Sequence, residues 1–205
     1  MIQRTTLKNI NLLLENNKDW KILDIGCGYT AHEKASHIAD VKDFSEYYKG
    51  KKKFTLIKEK KLPFKDKEFD FVISSHVIEH VEDFPFFIGE LERISNKGYI
   101  ELPTRLGDNL IFENMTDHIW WFIFDDIEKK LIASKRNQSL ESFLSVATGK
   151  ILSDMFRESF VLELIWESKI DFEISEDINN GNYKKISFLM LIRKYFSKRL
   201  RKIFS

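Results

Sequence analysis

The feature that most constrains this fold is a short apolar strand that runs directly into a glycine-rich turn. Residues 21–25 read Lys-Ile-Leu-Asp-Ile, and Gly26-Cys27-Gly28 follows at once. The two glycines allow a tight turn and leave the backbone open to close approach by a ligand. Ligands of open α/β sheets bind in the crevice beyond the carboxyl ends of the strands. The turn therefore predicts a ligand site, with a plain strand-to-helix turn as the alternative.

The first half of the chain alternates between strand and helix patterns. Helices are predicted over residues 4–17, 31–36 and 83–95, and further strands over 37–41, 54–57, 69–74 and 99–102. Such alternation is typical of a parallel sheet with helices on both faces. We expect an α/β, Rossmann-like sandwich whose sheet is mostly parallel.

The second half has a different pattern. No clear period is visible in residues 110–136, and residues 138–157 read as a helix. Strands are predicted over 160–166, 170–174 and 186–192. Because Asn179-Asn180-Gly181-Asn182 separates the last two strands, they are expected to form an antiparallel C-terminal hairpin.

Composition limits the class of protein. The 33 basic and 32 acidic residues leave a net charge of +1, so no global attraction to nucleic acid is expected. Cys27 is the single cysteine, which excludes an intrachain disulfide and favours a cytoplasmic protein. Neither a secretory signal nor an apolar run of about 20 residues is visible. Residues 1–192 are expected to form one domain, with 193–205 as a basic tail.

Two classes of cofactor suit the glycine turn. Gly26, Gly28 and Ala31 match the spacing of a dinucleotide site, which would indicate a nicotinamide-dependent dehydrogenase. However, Asp24 would place a carboxylate where a pyrophosphate must bind, and it suits the ammonium of an amino acid better.

A second acid suits a ribose. Asp43 follows the second predicted strand, where a carboxylate can accept hydrogen bonds from both ribose hydroxyls. Asp40 is the neighbouring alternative. An amino-acid group joined to a ribose describes S-adenosylmethionine.

These motifs resemble those of class I S-adenosylmethionine-dependent methyltransferases, most closely the type-11 branch. The resemblance covers residues 18–104, a cofactor-binding half, and leaves 105–192 as an acceptor-side half. It is carried by residues 22–28 (Ile-Leu-Asp-Ile-Gly-Cys-Gly), 39–43 (Ala-Asp-Val-Lys-Asp), 62–81 and 98–103 (Gly-Tyr-Ile-Glu-Leu-Pro). The cofactor residues that it implies are Asp24, Gly26, Cys27 and Gly28 at the methionine end, Asp43 at the ribose, and Ser75 and His76 at the sulfonium.

The chain departs from the family pattern at two positions. Thr30 stands where a third glycine is common, and threonine is tolerable there because it can cap a helix. Lys58 stands where the family usually has an aspartate for the adenine amino group, so Glu59 or backbone groups would hold the base. These departures keep open a non-catalytic cofactor-binding module.

Residues 76–80 also spell His-Val-Ile-Glu-His, a zinc-peptidase pattern when it lies on one helix. The methyltransferase interpretation explains more of the chain and requires no metal. In that interpretation His80 or His118 removes the proton of the acceptor, although His80 as a packing residue is an equal alternative.

The acceptor is expected to be an oxygen or nitrogen of a small molecule. Glu101, Trp120 and Trp121 are predicted to bind it, since aromatic faces stack on sugar rings; the alternative places the tryptophans in the core. The loop resembles methyltransferases of bacterial surface-polysaccharide gene clusters, which implies a sugar, free or lipid-linked, as acceptor.

The C-terminal residues 193–205 carry bases at 193, 194, 198, 199, 201 and 202 and no acid. Their apolar residues repeat at helical spacing, which is typical of helices at anionic membrane surfaces. Peripheral contact with the inner membrane face is therefore predicted, with a solvated helix packed on the sheet edge as the alternative. The sequence leaves the oligomeric state open.

Overall fold

The structure is a computed structural model that describes residues 1–111, 113–138, 142, 144–176 and 188–203. The strands are β1 (Ile2–Arg4), β2 (Ile22–Ile25), β3 (His37–Asp40), β4 (Lys53–Leu56), β5 (Phe71–Ser75), β6 (Lys97–Pro103), β7 (Trp120–Asp125), β8 (Lys130–Lys135), β9 (Val161–Glu167) and β10 (Phe172–Ile174). The α-helices are α1 (Leu7–Asn16), α2 (Ser45–Tyr48), α3 (Phe84–Ile94), α4 (Arg105–Leu110), α5 (Asn114–Asp117), α6 (Val146–Met155), α7 (Arg157–Phe160) and α8 (Phe188–Ile203), with a 3-10 helix at Ile78–His80.

A twisted sheet of seven strands organises the described residues. Its order is β1-β9-β6-β5-β2-β3-β4, in which β6, β5, β2, β3 and β4 are parallel and β9 is antiparallel to both of its neighbours. This confirms the predicted α/β class with a mostly parallel sheet. The chain leaves β2 toward β3 on one side and later returns to β5 on the other. A crevice is therefore expected where β2 and β5 end.

The central strands are buried on both faces, which explains their nearly continuous apolar sequences. Leu23 and Val72 face the larger core, with Phe84 and Leu91 of α3. Alternate residues of the same strands belong to a second core on the opposite face, together with Ile10 and Leu14 of α1. Helices thus cover both faces, as the pattern indicates.

A second, smaller sheet packs beside the main one. β7 and β8 form an antiparallel hairpin, and β10 pairs with β8 in parallel. Trp120 and Phe122 of β7 contact the ring of Phe84 edge to face. Because residues 120–122 are buried in succession, the two-residue period of a strand is hidden in this part of the sequence.

The predicted helix over 31–36 is wrong, because these residues form turns between β2 and β3. Side chains satisfy the polar backbone there. Asp24 accepts the His32 N–H, while the Lys52 ammonium donates to the carbonyls of His32 and Ala35. A loop that is bonded in this way needs no helix.

Two C-terminal predictions also need correction. The helix predicted over 138–157 begins only at Val146, where Ser145 caps it. The strand predicted over 186–192 is wrong in its described part, since α8 already begins at Phe188. Residues 188–192 therefore form no strand of the predicted hairpin, and its turn at 179–182 lies outside the described residues. The antiparallel element of the main sheet is β9 instead.

Helix α8 runs through the boundary that was predicted between residues 192 and 193. None of the helices in the described part of the chain has the length and apolar character needed to cross a bilayer.

Candidate active site

A cavity of about 600 Å³ opens beyond the carboxyl ends of β2, β3 and β5. This is the crevice that the strand order predicts, and its volume is within the usual range for small-molecule sites. The lining residues that matter for the chemistry are Gly26, Gly28, Asp40, Glu59, His76 and His80.

The glycine turn forms one wall of this cavity. Gly26 and Gly28 have φ values of +71° and +52°, in the left-handed region that side chains disfavour. A Cβ on Gly26 would lie 2.4 Å from Cγ2 of Val77, the residue that follows β5 by two positions. Glycine is required at position 26 for both reasons.

Asp24 lies behind the turn rather than in the cavity. Its carboxyl is buried, and Oδ2 accepts the His32 N–H at 2.7 Å. Burial raises the pKa of Asp24 to about 7, although the hydrogen bond from His32 opposes this shift. In the structure this side chain holds the loop after β2. Its contact with an ammonium group stays a prediction.

The two acids predicted near the ribose differ in position. Asp40 ends β3, lines the cavity, and accepts the backbone N–H groups of Gly28 at 3.1 Å and Lys42 at 2.9 Å. Asp43 is exposed, accepts the Ser45 N–H, and lies outside the cavity lining. The structure therefore favours the alternative, Asp40, as the ribose carboxylate.

The part of the cavity next to β4 has Ile57, Glu59 and Lys60 in its wall, whereas Lys58 is not part of the lining. The departure at Lys58 therefore does not block the cavity. Ser75 and Cys27 also lie outside the lining. Burial raises the pKa of the Cys27 thiol to about 11, so it stays protonated at neutral pH.

His76 is held between two carboxylates at the cavity wall. Its Nδ1 lies 3.2 Å from Glu79 Oε1, and its Nε2 lies 3.2 Å from Glu101 Oε1. Burial alone would lower its pKa, but the two acids outweigh this effect and raise the pKa to about 10. The ring is thus an imidazolium that donates hydrogen bonds, and it cannot accept the proton of a substrate.

The zinc-peptidase pattern is not formed. His76 has a left-handed φ of +54° and precedes the 3-10 helix, so it does not share a helical face with His80. The spacing that suggested two ligands on one helix therefore has no structural basis.

His80 instead meets His118, which follows α5. The two rings contact edge to face with centroids 4.5 Å apart. The Nδ1 atom of His80 lies 2.9 Å from the Asp117 carbonyl oxygen, and Nδ1 of His118 is in contact with Asp108 Oδ1. Each Nε2 is then the nitrogen that remains for chemistry.

Comparisons with known proteins indicate which kind of ligand the crevice binds. Residues 23–100 match the family described as "Methyltransferase domain". This match indicates S-adenosylmethionine as the cofactor.

The chain is similar in sequence to the uncharacterized protein MJ0638 of Methanocaldococcus jannaschii, with 37% identity over 124 residues. The match covers 53% of this chain and 52% of that protein, so the chain spans about half the length of the curated relative that it matches.

Two solved structures are similar in part. An S-adenosylmethionine dependent methyltransferase from Mesorhizobium loti has 12% identity and a TM-score of 0.45, with 78% of this chain and 96% of that chain covered. The PH0226 protein from Pyrococcus horikoshii has 17% identity and a TM-score of 0.44, with coverages of 78% and 87%.

The geometry of the crevice fits S-adenosylmethionine better than a dinucleotide. Open space surrounds the backbone at Gly28, and Asp40 offers a carboxylate at the end of β3. The described residues 26–36 contain no helix whose N-terminus would bind a pyrophosphate. The match at Gly26, Gly28 and Ala31 therefore does not indicate a dinucleotide site.

The predicted acceptor residues are not where the sequence analysis expects them. Trp120 and Trp121 are 6% and 2% exposed, and their indole N–H groups donate to the Val81 carbonyl and to Asp108. The prediction that they offer stacking faces is wrong, because the core alternative holds. Glu101 is also buried, with His76, Tyr99 and Arg157 as partners.

Sequence analysis misses the residues that support His118. Asp108 is fully buried between His118, Trp121 and the Arg136 guanidinium. Burial alone would raise its pKa, but these partners lower it. Arg136 belongs to residues 110–136, where the sequence has no readable period, and Asp108 lies just before this range. A buried acid among aromatic residues is the only local signal.

Proposed function

We propose that this chain transfers the methyl group of S-adenosylmethionine to an oxygen or nitrogen of a small molecule, with a sugar hydroxyl as the favoured acceptor. The observation that carries the proposal is the pair of imidazoles, His80 and His118, beside the cavity that contains the glycine turn. The domain assignment of 1–192, with a cofactor half and an acceptor half, is part of this proposal.

Three groups would hold the cofactor. The backbone at Gly28 has open space that allows the methionine part to approach closely, and Asp40 accepts hydrogen bonds from the ribose hydroxyls. Glu59 lies in the wall at the adenine side, where it offers a carboxylate to the adenine amino group. The cofactor supplies a methyl group on a positively charged sulfur, which is open to attack by a nucleophile.

The histidines would manage the acceptor proton. As the acceptor oxygen bonds to the methyl carbon, the carbon–sulfur bond breaks and the acceptor must lose its proton. His80 accepts it at Nε2, because its Nδ1–H is donated to the Asp117 carbonyl. His76 cannot replace it, since its ring is already protonated. The protein otherwise aligns the two reactants, which supplies much of the acceleration.

The rim of the cavity suits a polyhydroxylated acceptor. The carboxylates of Glu82, Asp83 and Asp117 can accept hydrogen bonds from hydroxyl groups. Phe86 also lines the cavity and is 44% exposed, so its ring offers the stacking face that the buried tryptophans do not. These features support a sugar.

Methyl transfer is tested by incubating the full chain with tritium-labelled S-adenosylmethionine and two sets of acceptors, nucleoside-diphosphate sugars and lipid-linked saccharides. We expect label in one set, and at least a hundredfold loss of rate in His80→Ala. His37→Gln is the control, because His37 begins β3 and so lies at the end of that strand away from the cavity. If S-adenosylhomocysteine binds tightly but no acceptor is labelled, the chain is a non-catalytic binding module and not an enzyme.

Helix α8 favours an acceptor at a membrane. Leu189, Ile192 and Phe196 are exposed on the same helix as Arg193 and Lys194. Apolar and basic residues together suit an anionic lipid surface, as at the cytoplasmic face of a membrane where surface polysaccharides are built.

Flotation with phosphatidylglycerol vesicles tests this contact. The wild-type chain is expected to float with the vesicles and an Arg193→Glu/Lys194→Glu variant to remain in solution, whereas neutral phosphatidylcholine vesicles should bind neither. Equal recovery of both proteins with the anionic vesicles contradicts the proposal.

A further inference from the structure

Three side chains beside the cavity come together in an arrangement that proton transfer alone does not require. Glu79, His80 and His118 each offer one ligand atom, and these atoms all lie within 4.8 Å of one another. Glu79 and His80 belong to the 3-10 helix after β5, while His118 reaches them from the end of α5.

Glu79 has one carboxylate oxygen without a partner. The residue is fully buried, and its Oε1 lies against His76 while its Oε2 makes no hydrogen bond. A buried, unpaired carboxylate oxygen is costly, and native structures rarely keep one without a ligand or a function. The free oxygen therefore points to a missing positive partner.

Both histidines are held as metal-binding histidines usually are. In such a ring, the N–H of the second nitrogen normally donates a hydrogen bond to a carboxylate or a backbone carbonyl, which fixes the orientation of the ring. His80 has the Asp117 carbonyl in this position, and His118 has Asp108. Asp108 is itself fixed by the guanidinium of Arg136, whose Nε lies 2.8 Å from its Oδ2.

We infer that Glu79, His80 and His118 form a binding site for a divalent transition-metal ion. Two imidazoles and one carboxylate suit Zn²⁺, Co²⁺ or Mn²⁺ and leave coordination positions for water or a substrate. Metal–nitrogen bonds of about 2.1 Å place ligand atoms about 3.4 Å apart, so side-chain shifts of about 1 Å close the site.

The surrounding charges are compatible with a cation. Glu79 and Asp108 face the site with negative charge, and Asp117 lies next to His118 in the chain. The His76 imidazolium opposes a cation, but it lies against Oε1 of Glu79 and leaves Oε2 to the metal.

The ion would give the acceptor site its reactivity. This step rests on the proposed function but changes the role of His80: with the ion bound, His80 would be a ligand and not the base. The metal-bound acceptor hydroxyl would have a lowered pKa, would be held at the cavity by the open coordination positions, and would lose its proton to water. The existence of the site does not depend on that reaction, so metal binding is tested by itself.

The test uses the full chain, freed of metal with EDTA. Zn²⁺, Mn²⁺ and Co²⁺ are each titrated by calorimetry, and the visible absorption of Co²⁺ reports its coordination. We expect one ion per chain, and at least a tenfold weaker affinity in Glu79→Gln and His118→Ala, with loss of the Co²⁺ spectrum. His37→Gln should bind as the wild-type chain does.

Binding of S-adenosylhomocysteine by each variant checks that it is folded. If the buried substitution at Glu79 prevents folding, His80→Ala decides, because His80 is exposed. Absence of stoichiometric binding to the wild-type chain, or equal affinity in the wild-type and His80→Ala proteins, overturns the inference. Metal binding without methyl transfer would leave this site standing and reject the proposed reaction. Full transfer activity in EDTA, without metal binding, would reject this site and leave the proposed reaction standing.

Discussion

The rings of His80 and His118 meet edge to face with their centroids 4.5 Å apart. One follows β5 in the segment that matches the methyltransferase family, and the other follows α5 in the part of the chain beyond it. Contact between these parts therefore brings a residue from beyond position 100 to the side of the cavity. The pair is the point where the two halves of the chain would act together.

The two histidines are expected to act as a unit in methyl transfer. If one site needs both rings, the double variant His80→Ala/His118→Ala should be no slower than the slower single variant. Initial rates with labelled S-adenosylmethionine measure this. Independent roles would instead multiply the two losses.

Gly26→Ala should weaken cofactor binding at least tenfold, because the new Cβ would lie 2.4 Å from Val77 Cγ2. Calorimetry with S-adenosylhomocysteine measures the loss. Adding Val77→Ala removes the clashing methyl groups and should recover part of the affinity. Gly50→Ala is the matched control, with a φ of +73° and open space around its Cβ, and it should cost only about 1 kcal/mol of stability. No recovery in the double variant would contradict the steric explanation.

Asp40→Asn should lower the affinity for S-adenosylhomocysteine at least tenfold, and Asp43→Asn should change it less than twofold. Asp40 lines the cavity at the end of β3, whereas Asp43 is exposed beside it. Thermal unfolding of both variants separates binding from the loss of the Gly28 hydrogen bond. A larger effect at Asp43 would restore it as the ribose residue.

Stability should fall as the pH rises from about 4 to about 7. Burial raises the pKa of Asp24 from 3.8 to about 7, so the folded chain keeps a proton there that the unfolded chain loses. The decline is at most about 4 kcal/mol, and Asp24→Asn should remove it. Urea unfolding at pH 5 and pH 7 measures the difference.

His76 should add a separate decline in the stability of the chain at higher pH. Its pKa is raised to about 10, so its contribution is lost between pH 6.5 and 10 in both proteins. Parallel pH profiles of the wild-type chain and the Asp24→Asn variant below pH 7 would show that Asp24 is not the cause of the first decline.

Trp121→Phe should lower the free energy of unfolding by about 2 kcal/mol or more without changing the affinity for S-adenosylhomocysteine. The substitution removes the N–H donor to the buried Asp108 and leaves a small void in the core. Chemical denaturation and calorimetry provide the two values. Unchanged stability with weaker acceptor binding would restore the stacking role.

The cofactor half was readable because its signals are local. The strands 22–25 and 71–75 are continuous apolar runs, and the glycines at 26 and 28 mark a turn that few other residues can make. The predicted ribose carboxylate was nearly readable, but two acids, Asp40 and Asp43, lie within four residues at the end of β3. Which of them turns toward the cavity depends on the backbone after the strand.

The acceptor half was harder to interpret. Trp120 and Trp121 have the composition of a stacking surface, yet both are buried, because the hairpin of β7 and β8 packs on α3. The loop over 31–36 has helical composition, but bonds from Asp24 and Lys52 satisfy its backbone as turns. Such choices depend on partners far away in the chain.

The sequence by itself determined the strand–turn unit, the parallel sheet and the cofactor class, since each depends on the order of neighbouring residues. Only the tertiary structure decided that His76 is an imidazolium between Glu79 and Glu101, and that His118 joins His80. Burial and charge at these positions arise from residues that are distant in sequence. Their chemistry is therefore fixed by packing, which no local pattern encodes.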